Sequence, residues 1–211
     1  MGDLYDSIVR GDAPSAVAAV RQLLQAGAQA LDVVNREMVP AMDEVGRRFE
    51  CEEYFVPQLL LSARAMKGAL DLLRPLLAAS GARGAGRVAI GTVKGDLHDI
   101  GKNIVCAMLE GAGFEILDLG VDVPPERFVE AVRGGAGLVC LSALLTTTMP
   151  AMKATIQALS AAGMRRQAAV IVGGAPVTAR FAEEVGADAY GASATEAVAL
   201  ARGLAVPRAR A

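Results

Sequence analysis

The sequence predicts a chain in two parts, a helical bundle followed by an α/β domain built on a doubly wound parallel sheet. Three observations support this. Apolar residues recur every three or four positions through the first third of the chain. Beyond residue 86 they gather instead into short continuous runs separated by amphipathic segments. Between the two regimes lies the glycine-rich stretch Ser80-Gly-Ala-Arg-Gly-Ala-Gly86. A period near 3.6 marks helices, while buried runs alternating with helices mark parallel strands covered on both faces. With 211 residues, 53% hydrophobic and 21% charged, the chain has enough apolar material for both parts.

The first helix is expected to start at Asp12-Ala13-Pro14, an N-cap followed by proline, with Val17, Val20 and Leu24 on one stripe and Gly27 past the end. Leu31, Val34, Met38, Met42, Val45 and Phe49 continue at helical spacing, but Pro40 interrupts them, so this run is either kinked or two helices. Phe55, Leu59, Ala63, Met66, Leu70 and Leu73 share a further face before Pro75. Such stripes need one another, and a four-helix bundle over residues 1–79 would bury them. Residues 80–86 have linker composition. Strands follow at Val88–Val93, Phe114–Leu119, Leu138–Ser142 and Ala169–Val172, with a weaker fifth over Ala187–Tyr190. Helices are expected near 100–112, 125–133, 148–162, 177–185 and from Thr195 to Leu204. Five such units in residues 87–211 predict a flavodoxin-like, five-stranded, doubly wound parallel sheet, whose ligands bind beyond the carboxyl ends of the strands.

Composition excludes several function classes. A formal net charge of −2 with no basic cluster gives no electrostatic footprint for nucleic acid, and 4% aromatics with no Trp leaves no stacking platform. No signal segment opens the sequence and no apolar stretch is long enough for a bilayer, so a cytoplasmic protein without membrane association is expected. Cys51, Cys106 and Cys140 are widely spaced and form no CxxC pair, which argues against a disulfide framework or structural zinc. A dinucleotide fold would need G-x-G-x-x-G after the first strand, where Gly91-Thr-Val-Lys-Gly-Asp96 stands instead. A phosphorylated receiver domain would need an acid after the third strand, where Ser142 stands.

The most informative segment is Gly95-Asp-Leu-His-Asp-Ile-Gly-Lys102. His98 is the only histidine, and Asp96 stands close enough to hold its second ring nitrogen. Zinc would need further protein ligands, whereas a macrocycle that supplies four equatorial nitrogens needs one imidazole. Ser142 to Thr148, Gly173-Gly174 and Gly191-Ala-Ser193 fall at the ends of other strands, so separate loops converge on one sheet edge. Each has a plainer explanation. Gly173-Gly174 could make a tight turn, Thr146 to Thr148 could cap a helix, Asp99 and Lys102 would be solvated, and Cys106 and Cys140 would be core.

The motif Asp-x-His-x-x-Gly, carried by Gly95 to Asn103, resembles the cobalamin-binding signature of corrinoid proteins. Leu141-Ser-Ala-Leu-Leu-Thr-Thr-Thr-Met149, Val172-Gly-Gly-Ala-Pro176, Val45-Gly-Arg-Arg-Phe49, Phe55-Val-Pro-Gln58 and Ser62-Ala-Arg-Ala-Met66 extend the likeness over nearly the full length. The chain is similar to the small corrinoid proteins of methylamine, methanol and glycine-betaine methyltransferase systems, and to the cobalamin-binding region of methionine synthase. The resemblance implies a cobalamin or related cobamide bound with its own base displaced and its nucleotide tail entering the sheet edge. It makes His98 the lower axial cobalt ligand, Asp96 its hydrogen-bonded support, and Thr148 the hydroxyl that extends the relay. Gly95, Leu97, Asp99, Ile100 and Gly101 would surround the cofactor with the same loop. Ser142 and Thr146 would meet its nucleotide base, Leu144 would also bind the cofactor, Gly173 and Gly174 would leave room for the tail, and Ala192 would line the same slot. Residues 1–79 would form a cap over the upper face, with Phe55 the candidate contact, and the 80–86 linker would let that cap move.

The implied role is a methyl carrier, a non-autonomous subunit working between a substrate-specific methyltransferase and an acceptor methyltransferase, with a reductive activator. Any proton exchange on ligand release is expected to pass through Asp96. A cobalamin-dependent sensor is the alternative. The methyl donor, the acceptor, the native lower base and the oligomeric state are left open by the sequence.

Overall fold

The computed structural model describes residues 2–79 and 85–204. Most of the expected linker, residues 80–84, lies outside the described residues. The chain divides into two compact units, Met1–Gly84 with Ala107–Phe114, and Ala85–Cys106 with Glu115–Ala211.

The first unit is built on α1 (Asp3–Val9), α2 (Ala13–Gln25), α3 (Ala30–Val33), α4 (Val39–Glu50) and α5 (Val56–Ala79). Asp12 caps α2, its carboxylate accepting from the Ser15 N–H at 3.1 Å. The interruption at Pro40 takes a definite form. Val34–Met38 winds as a π-helical turn between α3 and α4, and Pro40 falls in the first turn of α4. Proline has no N–H and its ring crowds the preceding turn, so a local widening lets the rod continue. Leu59, Ala63, Met66, Leu70 and Leu73 of α5 are buried as their spacing predicts. Phe55 departs from that stripe. It immediately precedes α5 and is 63% exposed. A further departure is that α5 runs through Pro75 to Ala79; so long a helix tolerates the single backbone bond that proline removes. Helix α1, which the sequence reading passed over, places Leu4 and Ile8 in the core. Its end is secured by the Val9 carbonyl, which accepts from the Tyr54 and Ser62 hydroxyls at 3.0 and 3.1 Å. Such terminal carbonyls have no partner within their own helix.

The second unit contains β1 (Arg87–Thr92), α6 (Ile100–Gly111), β2 (Glu115–Asp118), α7 (Pro125–Arg133), β3 (Leu138–Ser142), α8 (Pro150–Ala161), β4 (Ala169–Gly173), α9 (Ala179–Val185), β5 (Ala189–Gly191) and α10 (Ala194–Leu204). Part of α6 groups with the first unit, as given above. The five strands are all parallel in the order β2-β1-β3-β4-β5, the flavodoxin-like order. Val139, Leu141, Val170 and Val172 join one apolar cluster with Phe128, Met152, Ile156 and Leu159 of the covering helices. Leu138, Cys140 and Ile171, one residue out of phase, are buried as well. Burial pushes the Cys140 thiol up to about 12, so it is an inert core residue.

Register makes the working edge level. Thr92 pairs with Ser142, Ser142 with Gly173, and Gly173 with Gly191, so the loops leave the sheet at one height. The chain reverses its winding between β1 and β3, which sets their two loops side by side at the switch point. Helix α7 is held close to β1 by a residue without a side chain. A Cβ on Gly91 would come within 2.9 Å of Phe128 Cζ and 3.0 Å of Val123 Cγ2.

Gly91→Ala should therefore lower stability by about 1–3 kcal/mol, the usual cost of overpacking. Pairing it with Phe128→Leu should recover part of that loss in urea unfolding; strictly additive losses would show that the two residues do not compete for space. In the helical unit, Arg47 and Arg48 donate to Glu44 and hold its carboxyl down to about 2. A depressed carboxyl stabilises above its unfolded value of 4.5 and stops doing so as pH falls through about 2. Glu44→Gln should lower the urea midpoint at neutral pH, and the gap to the parent should close between those values.

Candidate functional site

The site is built around one buried carboxylate. Past β1, Val93 bridges to Val123 and the chain turns at Gly95, whose φ of +85° is in the left-handed region. Asp96 then enters the protein with 0% exposure. Its Oδ1 accepts the His98 ring Nδ1–H at 2.7 Å and the His98 backbone N–H at 3.1 Å. Its Oδ2 accepts the Leu144 N–H at 2.8 Å, the Leu145 N–H at 3.3 Å and the Thr148 hydroxyl at 2.7 Å. One side chain from the loop after β1 thus binds the loop after β3 across the switch point. His98 and Thr148 thus meet on the one carboxylate of Asp96.

Burial by itself would raise the Asp96 carboxyl. The bonds from Leu144 N–H, Thr148 and His98 outweigh burial and hold it well below the usual carboxylate range. An ionised carboxylate can only accept, so Nδ1 carries a proton, and in the neutral ring the lone pair then lies on Nε2. The imidazole side chain is 50% exposed, and Nε2 has no hydrogen-bond partner among the described residues. Asp96 therefore orients a ring whose far nitrogen is free to act as a donor to a metal.

The surroundings are apolar where a sheet edge would ordinarily be polar. Leu97, Ile100, Leu144 and Leu145 are all exposed around the imidazole's two loops. Gly101 opens α6 with nothing within 4 Å of where a Cβ would stand. Asp99 is exposed and accepts the Asn103 amide at 3.1 Å. Ser142, half-buried, ends β3, and its carbonyl accepts the Val93 N–H at 3.0 Å. Thr146 is exposed in the same loop. The threonines do not cap α8, whose N-cap is Met149 with no side-chain bond. Ala192 is exposed beyond β5, its N–H donating to Glu196 at 2.8 Å. Phe55 belongs to the helical unit described above.

The two glycines after β4 have a structural reason of their own. A Cβ on Gly174, where φ is +130°, would run into the Ala143 carbonyl, and one on Gly173 would stand 3.0 Å from the Gly191 carbonyl. Close approach of backbones requires both, whatever passes outside them. Lys102 corrects an expectation. It is 3% exposed rather than solvated, its Nζ donating to Asn103 and Asp118, each at 2.7 Å. A lysine buries in this way when its charge meets a carboxylate. Sequence reasoning also missed Thr92, whose buried hydroxyl donates to the His98 carbonyl at 2.8 Å. A polar residue closing an apolar strand was the available signal.

These residues fit a corrinoid. Among the described residues no group of three or more His, Cys, Asp or Glu side chains is placed to hold a metal ion. A single free imidazole amid apolar side chains suits a macrocycle that brings its own equatorial nitrogens. Comparison with known proteins agrees. Family models described as "B12 binding domain" match residues 2–74 and 86–199. The dimethylamine corrinoid protein of Methanosarcina barkeri is 39% identical over 96% of this chain and 95% of its own. Trimethylamine corrinoid protein 2 of Methanosarcina acetivorans is 42% identical, with 92% and 90% covered. Among solved structures, the methanol:cobalamin methyltransferase complex MtaBC of Methanosarcina barkeri matches with a TM-score of 0.82 at 30% identity, covering 96% of this chain and 78% of that one. With one likeness carried across both parts and the relay assembled at the sheet edge, this chain belongs to the family of B12-binding corrinoid proteins.

Proposed function

We propose that this homologue of the methylamine corrinoid proteins carries a methyl group between a substrate-specific methyltransferase and an acceptor methyltransferase, with His98 as the lower axial ligand of its cobamide. The observation that carries the ligand assignment is the Nδ1–H bond to an ionised, buried Asp96, which leaves Nε2 available. The carrier role rests on the relatives, named for methylated amines, and on the methyltransferase complex that the chain resembles. A bound cobamide supplies the cobalt that takes up and gives away the methyl group.

The protein's own residues orient and tune. Asp96 makes the imidazole a better donor by holding its other proton, and the Thr148 hydroxyl and Leu144 N–H keep that carboxylate charged. Nε2 is the atom at which a proton and a metal compete. Proton exchange on ligand release is assigned to Asp96, the buried acceptor of the Nδ1 proton. Leu97, Ile100, Leu144 and Leu145 offer apolar contact to the macrocycle and exclude water beside the ligand. Gly95, Asp99, Gly101, Ser142, Thr146, Gly173, Gly174 and Ala192 complete the proposed lining, and Phe55 remains the candidate for the cap. The division into a cap at 1–79, a linker at 80–86 and a cobamide domain at 87–211 belongs to the same proposal, as do the acceptor enzyme and the reductive activator. Among the described residues no helix is long and apolar enough to cross a membrane.

Reconstitution with cobalamin tests the assignment. The parent should bind the cofactor, and His98→Ala should bind it with a changed visible spectrum; an identical spectrum removes His98 as ligand. Thr148→Val, which deletes one donor to Asp96, should reduce the fraction of cofactor ligated by His98, while Thr148→Ser should preserve it. If Val and Ser variants behave alike, the hydroxyl has no part in the relay.

A further inference from the structure

The loop that carries Asp96 and His98 is gripped from outside by a residue no motif includes. Asp122, in the segment after β2, accepts the Gly95 N–H on its Oδ1 at 2.7 Å. Its own backbone N–H donates to the Asp96 carbonyl at 2.9 Å. One residue thus holds both sides of the peptide linking Gly95 to Asp96. To do so it adopts φ of +51°, a left-handed conformation that few residues other than glycine take, aspartate and asparagine most readily. A strained residue persists where its neighbours fix it, and here each neighbour belongs to the ligand loop or its base.

The base of the clamp is itself pinned. The Asp118 carboxylate accepts the buried Lys102 Nζ at 2.7 Å and the Gly120 N–H at 2.9 Å. The Gly120 carbonyl accepts the Thr92 N–H at 3.0 Å, and the Thr92 carbonyl accepts the Val123 N–H at 3.0 Å. Asp122 therefore projects from a segment fastened to β1 on both sides of it. Asp96 needs this help. Its side chain is committed to the loop after β3, so the placement of the His98 ring depends on where the Asp96 backbone sits. A shift of a few tenths of an ångström there would lengthen either the bond to Nδ1 or those from Leu144 and Thr148.

We propose that Asp122 is a positioning residue for the His98 imidazole: its two-point hold on Gly95 and Asp96 sets the ring's tautomer and orientation before any cofactor arrives. The proposal rests on the reading of His98 as a ligand for its relevance to the cofactor, but its test does not. His98 is the only histidine, so its ring nitrogens give the sole imidazole signals in ¹⁵N NMR of the cofactor-free protein. At a pH high enough to leave the ring neutral, the parent should show widely separated Nδ1 and Nε2 resonances, the mark of one fixed tautomer. Asp122→Gly keeps the left-handed backbone but removes the acceptor. It should draw the two resonances together and speed exchange of the Nδ1 proton about tenfold, as loss of one charge-assisted bond would. Asp122→Asn retains an acceptor oxygen and should restore the parent pattern.

Parent-like ring signals in Asp122→Gly overturn the proposal, even if that variant melts at a lower temperature, because the residue would then be structural only. Ring signals in Asp122→Asn that match those of Asp122→Gly overturn it too. Should Asp122→Gly not fold, the parent still decides: the Gly95 amide must be protected from exchange despite lying in an exposed loop, and an unprotected amide overturns the clamp. Failure of the ligand reading is seen separately, as identical spectra of cobalamin-loaded parent and His98→Ala.

Discussion

Everything at this site depends on a carboxylate placed out of water and kept charged. Burying Asp96 without partners would cost several kcal/mol or force it to take up a proton. The protein avoids both outcomes by giving it backbone N–H groups from Leu144 and Leu145, the Thr148 hydroxyl, and the His98 ring. The same set of bonds does two things. It closes the loop after β1 onto the loop after β3, and it fixes which nitrogen of His98 faces Asp96 with its proton.

The fold supplies the positions for these bonds. A parallel sheet whose strands end at one level, with its winding reversed between β1 and β3, brings two loops together at the only place in such a sheet where neighbouring crossovers diverge. Small residues then let backbone meet backbone. Gly91 lets α7 approach β1, and Gly174 lets the end of β4 lie against Ala143. Thr92 and Asp122 hold the loop that carries His98 through its His98 carbonyl and its Gly95 N–H. The imidazole that results is rigid where it is anchored and free where it would meet a metal. Under the proposed role this arrangement would suit a carrier, whose ligand would return to one place after each transfer.

Much of this was legible in the sequence because the relevant forces act locally. The change from helical to strand period after residue 86 reports which faces are buried, and every strand it indicated is present within a few residues. The Asp96–His98 contact was legible in a motif whose spacing and chemistry constrain each other, whereas Thr148 was implied only by the family resemblance. Other features depend on distant partners and left no local trace. Lys102 reads as a solvated lysine until Asp118 is known to sit beside it, sixteen positions away. Asp122 reads as a turn acid, since nothing nearby in sequence reveals that its N–H and carboxylate reach Gly95 and Asp96. Phe55 fits the period of α5 by arithmetic yet stands just before the helix begins. Pro75 would ordinarily mark a helix end, but a rod with most of its length already packed continues past it.

If Nε2 of His98 donates to the cobalt of a bound cobamide, electron paramagnetic resonance of the paramagnetic cobalt form will show it once the single histidine is labelled with ¹⁵N and the protein is loaded with cobalamin. A nuclear spin of one-half in place of one changes the splitting that a bound nitrogen imposes on the cobalt lines. On labelling, the pattern should change from three lines to two, and His98→Ala should abolish it. A pattern indifferent to the label would remove His98 from the cobalt, because the bound nitrogen would then belong to something other than this histidine.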